Sequence, residues 1–138
     1  MPDAQPQSRP PTPDDVAQGS QASAIPITTV NAAAQAMLQD LELSPLSVRT
    51  YRHGLNALIR YLHVERQDFD AADALADCPL DDIGEETLAG FNRWLREAYP
   101  DPRTRPGEIS GATRTTRTYL VAARRLMNWL DLRSLLPN

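Results

Sequence analysis

Two stretches of this chain, residues 44–62 (SPLSVRTYRHGLNALIRYL) and 112–130 (ATRTTRTYLVAARRLMNWL), share one arrangement. Each places Arg with Ser or Thr along one side of a helix and bulky apolar residues along another, a spacing that only an amphipathic helix satisfies. The chain as a whole is acidic, with a formal net charge of -4 and a pI near 5.1. Two cationic helix faces therefore need a local explanation. Locally they have the character of a grip on phosphates.

The charge is segregated along the chain. Residues 44–64 hold three Arg and no acid, residues 65–86 hold nine acids and one Arg, and residues 103–125 hold six Arg and one Glu. All 14 cationic side chains are Arg and none is Lys. The planar guanidinium suits bidentate phosphate contact, although a GC-rich genome gives the same bias.

A chain of 138 residues with 41% apolar content is the size of one ordinary domain with a single core. Residues 1–27 contain six of the 12 prolines and no periodic apolar residues, which predicts a disordered tail. The folded domain is expected over residues 28–135. Residues 136–138 read as the start of a linker, so that the chain ends at a boundary inside a longer protein.

Within the domain, Thr28 or Thr29 caps a first helix running to about Leu41, with Val30, Ala33, Ala34, Met37, Leu38 and Leu41 on its apolar stripe. Ser44 with Pro45 behind it is the clearest helix start in the chain. The second helix is expected to reach about Val64. Its apolar stripe is Val48, Tyr51, Leu55, Leu58, Ile59 and Leu62, and Arg49, Arg52, Asn56, Arg60 and His63 define a polar one.

Residues 65–82 read as a loop with a short helical turn before Pro79. A third helix starts near Gly84 or Glu85 with Leu88, Phe91, Trp94 and Leu95 as core candidates. Residues 99–111, rich in Pro and Gly, form an irregular loop. The fourth long helix spans about Thr113 to Leu130. It buries Thr116, Tyr119 or Leu120, Ala123, Leu126 or Met127, and Leu130, leaving Arg114, Arg117, Val121, Arg124 and, at its edge, Arg125 outside. No strand pattern occurs, so an all-α bundle of four or five helices is expected.

These residues resemble a known family, the core-binding, SAM-like N-terminal domain of tyrosine recombinases and phage integrases. The resemblance is carried by the pattern Leu-Ser-Pro-x-Ser/Thr-x-Arg-x-Tyr-x-x-x-Leu-x-x-Leu/Phe from Leu43 through Leu58, by Leu80-Asp-Asp-Ile83 followed by a Leu/Phe/Trp helix, and by a Thr-rich start leading to Leu120, Arg124 and Trp129-Leu130. It covers roughly residues 28–135. The loop at 97–111 is long and Pro-rich for the family, and Val121-Ala-Ala123 is smaller than usual there.

The resemblance implies a DNA-binding domain that forms half of a clamp around double-stranded DNA, positioning a catalytic domain of the same parent chain that would follow Asn138. Other recombinase protomers in a synaptic assembly are the further implied partners. The expected DNA-binding set is Ser44, Ser47, Arg49, Arg52, His53, Asn56, Arg60, Thr113, Arg114, Thr115, Arg117, Thr118 and Arg124. No catalytic residue, metal or cofactor is expected in this chain, and so no enzyme activity. The alternative is a helical protein–protein interaction module that does not bind DNA, whose acidic segment 65–86 and Arg faces bind partner proteins.

Other readings carry less. His63-Val-Glu-Arg66 followed by Tyr99 imitates a recombinase active site, but the framework that such a site needs before its His is missing, so coincidence is the simpler account. Tyr51, Tyr119, Trp94 and Trp129 fall at core positions. His53 reads equally as a phosphate contact or a solvated side chain. Cys78 has no ligand partner at metal spacing. With one cysteine, no apolar run of ~20 residues and no signal peptide, a cytoplasmic, nucleoid-associated protein of bacterial or phage origin, away from membranes, is expected.

Overall fold

The computed structural model describes residues 26–107 and 113–136. Those residues form an all-α bundle of five helices: α1 (Val30–Asp40), α2 (Pro45–Glu65), α3 (Phe69–Ala74), α4 (Thr87–Ala98) and α5 (Arg114–Leu132), with a 3-10 turn at Leu80–Asp82. Among the described residues no strand occurs. The single β-bridge pairs Thr29 with Pro79. Most of the expected tail, the stretch 108–112 of the expected loop and the last two residues of the chain lie outside the described residues.

Three helices start where side-chain capping chemistry places them. Thr29 Oγ1 accepts from the Ala32 amide at 3.3 Å, Ser44 Oγ from Ser47 at 3.2 Å and Thr113 Oγ1 from Thr116 at 3.1 Å. α1 gains a second cap from far along the chain, because the Asp77 carboxylate accepts the Asn31 amide at 2.9 Å. That places a negative charge at the positive end of the helix dipole. The Val30 amide donates to the Cys78 carbonyl and the Leu80 amide to the Thr28 carbonyl, so the acidic segment is sewn to the start of α1.

The core is built from Val30, Ala33, Ala34, Met37 and Leu38 of α1, Leu55, Leu58, Ile59 and Leu62 of α2, Phe91 and Leu95 of α4, and Ala123, Leu126 and Leu130 of α5. Tyr61, Phe91 and Trp94 form an aromatic cluster between α2 and α4, with ring centroids 5.7 to 6.1 Å apart. α4 lacks a side-chain cap at Glu86, and its entry is held instead by the Gly84 amide donating to Thr87 Oγ1 at 2.8 Å.

α2 and α5 cross closely at Gly54. A Cβ there would stand 2.9 Å from the Ala122 Cβ and 3.1 Å from the Tyr119 Cα, neither of which can swing aside. This crossing explains why residue 122 is small. Overpacking of this kind costs ~1 to 3 kcal/mol, against ~1 kcal/mol recovered from helix propensity. Gly54→Ala is therefore expected to lower the melting temperature, whereas the same change on an exposed helix surface would raise it. A thermal melt followed by circular dichroism checks the sign.

Several expectations need correction. Leu41, Val48, Tyr51, Leu88, Trp94, Tyr119 and Leu120 are half-buried at the margin of the core rather than in it. Thr116, Ala123, Leu126, Met127, Trp129 and Leu130 of α5 are buried as expected, and Ala122, which the sequence reading leaves out, takes the place of Tyr119 and Leu120 in the stripe. His63, expected on the polar stripe of α2, is buried because the chain turns back after Glu65 and lays residues 69–76 over it. Its Nε2 meets the Ala76 carbonyl.

Candidate nucleic-acid interface

The contacts between α2 and α5 fix their relative direction. The Arg125 guanidinium lies over the Tyr51 ring, 5.6 Å from its centroid. Gly54 meets Ala122 and Tyr119, and farther along α2 the Arg60 charge acts on the Tyr119 phenol. Residue numbers rise along α2 as they fall along α5, so the pair is antiparallel. The first turns of the two helices consequently lie at opposite ends of the pair rather than side by side.

What the pairing brings together is the length of the two stripes. On α2 the stripe runs Arg49, His53, Asn56, Arg60, in steps of four, three and four; the first two are exposed and the last two half-buried. On α5 it runs Arg114, Arg117, Val121, Arg124, Asn128, in steps of three and four, all exposed. Both helices turn their core stripes toward α1, which touches each of them. In an antiparallel pair with the cores on one side, these two stripes emerge together on the other.

That shared face holds Arg49, Arg60, Arg114, Arg117 and Arg124 and no carboxylate. Glu65 and Asp131, the only acids within α2 and α5, sit in their last turns. Among the described residues these five Arg make no hydrogen bond or ion pair, whereas Arg66 pairs with Asp82, Arg103 with Asp101 and Arg133 with Asp40. Like charges a helix turn apart cost ~0.2 to 0.5 kcal/mol per pair, and a Glu in place of one would reverse the sign. The face thus gives up a little folding stability to keep an uncompensated positive field.

Arg52 departs from the expected set. It is half-buried, and its Nη1 donates to Asn31 Oδ1 at 2.9 Å. Burial pushes its guanidinium below the ordinary Arg range. It tethers α2 to the start of α1 and stands beside the face rather than on it. Ser44 and Thr113 are also engaged: each accepts a cap bond and donates its hydroxyl proton to the residue three on, Ser47 Oγ at 3.1 Å and Thr116 Oγ1 at 3.0 Å. With Pro45 at the first position, the Leu46 amide remains open at the start of α2, and those of Arg114 and Thr115 at the start of α5. Ser47, Thr115 and Thr118 are half-buried along the same helices.

The groups that imitate an active site are turned apart. His63 is buried against Ala76, Arg66 is paired with Asp82, and Tyr99 packs edge-on against Tyr119 with centroids 5.6 Å apart. Burial, with Glu65 accepting its hydroxyl proton, pushes the Tyr61 phenol up to about 12, and burial with Tyr99 nearby raises Tyr119. Both shifts run against a nucleophilic phenolate. Burial, with Asp82 and Asp77 nearby, pushes the Cys78 thiol up to about 12. Among the described residues no group of His, Cys, Asp and Glu is arranged to hold a metal ion, and no helix is long and apolar enough to cross a membrane.

Sequence reasoning missed the role of Gly54, which brings the two helices close enough to present one continuous surface. Its signal in the sequence is Ala122, a small residue at the facing position of α5. Comparison of the chain with family models, curated proteins and solved structures finds no match.

Proposed function

We propose that this chain binds duplex DNA through the joint face of α2 and α5, as the core-binding domain of a tyrosine site-specific recombinase or integrase. The observation that carries the reading is the acid-free stripe pair, with five unpaired Arg aligned on one side of an antiparallel helix pair. An α-helix fits the major groove, and guanidinium groups spaced along two helices reach phosphates on either side of it. The placing within the recombinases rests on the sequence resemblance alone. In that reading the chemistry of strand exchange belongs to a separate catalytic domain, and this chain supplies grip and register, with the other protomers of a synaptic assembly bound to the same DNA.

The test is an anisotropy titration of the full chain on a duplex of about 30 bp at several salt concentrations. If all five Arg meet phosphates, log K falls with log salt with a slope of about −4.5. Absence of binding at about 50 mM salt contradicts the proposal and favours the protein-interaction reading, in which the Arg face and the acidic segment 65–86 dock other proteins.

A further inference from the structure

Four large apolar side chains are exposed among the described residues: Leu46, Phe69, Val121 and Leu132. Leu46 lies in the first turn of α2, Phe69 is the first residue of α3 and Leu132 the last of α5. Helix ends tolerate such residues. Val121 is different, because it sits in the middle of the 19-residue α5, 44% exposed, with Arg117 one turn before it and Arg124 one turn after.

Helix propensity gives no reason for a valine there. A β-branched side chain loses χ1 freedom in a helix and has a lower helix propensity than Ala, Arg or Glu. Val121 is not among the buried residues of the core, and its neighbour Ala122 is the one turned to Gly54. By angle it occupies the centre of the exposed stripe, between Arg114, Arg117, Arg124 and Asn128.

Resting on the DNA-binding reading above, we propose that Val121 reads sequence by packing against the C5-methyl group of a thymine in the major groove. The centre of a helix face goes deepest into the groove, while the Arg on either side, about 5 Å away along the axis, reach toward phosphates or base edges. A valine at that depth makes only apolar contact. The one apolar group on a base edge in the major groove is the thymine methyl. The positive field around Val121 complements a phosphate-lined groove and would oppose a basic partner, so duplex DNA is the occupant that the charge selects.

The test uses two duplexes of about 30 bp, one of alternating dA-dT and one of alternating dA-dU. They carry the same phosphate charge and the same minor-groove edges and differ only in the methyl group. The full chain is expected to bind the dA-dT duplex about fourfold tighter, the effect of taking one methyl-sized group out of water. Val121→Ala is expected to remove that ratio, and to leave the melting temperature equal or higher because Ala is the better helix former. Equal binding of both duplexes by the parent chain, or a fourfold ratio that survives in Val121→Ala, overturns the assignment of Val121 while salt-dependent DNA binding stands. Failure to bind either duplex at low salt overturns the DNA reading itself.

Discussion

Replacing Leu55 by Ala lowers the unfolding free energy by ~2 to 5 kcal/mol. Leu55 is fully buried beside the Gly54 crossing, in the core that α1, α2 and α5 enclose. Two costs add there: the apolar transfer lost with the removed carbons, and the cavity left behind. The cavity stays open because the walls cannot close in, α2 and α5 being already in backbone-limited contact at Gly54. Leu120→Ala, one residue beyond Tyr119 on the neighbouring helix, loses less, on the order of 1 kcal/mol, because Leu120 is only half-buried. Chemical denaturation of the two variants separates them. Equal losses would contradict the placing of Leu120 at the margin of the core.

The parts of this fold that were legible in the sequence are those set by neighbours in the chain. Ser44, and one of Thr28 and Thr29, read as caps because a hydroxyl one residue before a helix reaches an amide three residues on, which is a local matter; Thr113, expected as the first residue of its helix, proves to be its cap by the same chemistry. The stripes of α1 and α2 were likewise legible from their three-and-four spacing. Arg49 is readable as exposed because it lies opposite the stripe of α2, and Arg114, Arg117 and Arg124 because they lie opposite the apolar residues of α5.

What escaped was set by contacts distant in sequence. His63 has the spacing of a polar stripe, yet the chain folds back over it. Arg52 has the spacing of the basic face, yet it reaches Asn31, 21 residues earlier. The Asp77 carboxylate caps α1 from 46 residues away, a pairing that no local pattern announces. On α5 the sequence does not choose between Tyr119 and Leu120 because Ala122, the residue at the contact, carries little hydrophobic signal. The true contact side is marked by the absence of bulk opposite Gly54. Whether the two basic stripes face one way depends on the antiparallel sense of α2 and α5, and the tyrosine, arginine and glycine contacts that fix it are again tertiary.

The largest functional effect is expected when the exposed part of the Arg face is removed together. Arg49, Arg114, Arg117 and Arg124 are all solvent-exposed and without partners among the described residues, so replacing the four by Ala costs little folding stability. Arg52→Ala should behave in the opposite way. Losing the bond from its Nη1 to Asn31 costs ~0.5 to 1.5 kcal/mol of stability and leaves the salt dependence of binding largely unchanged.

Because each phosphate contact releases condensed counterions, its loss lowers the magnitude of the salt slope by about 0.9. The decisive measurement is the slope of log K against log salt for the full chain and for the Arg49/Arg114/Arg117/Arg124→Ala variant on the same duplex, with a melt of each protein alongside. A slope smaller by about 3.6, with the melting transition retained, is the predicted result. Equal affinities and equal slopes for the two proteins at every salt concentration would contradict the assignment of this face to DNA.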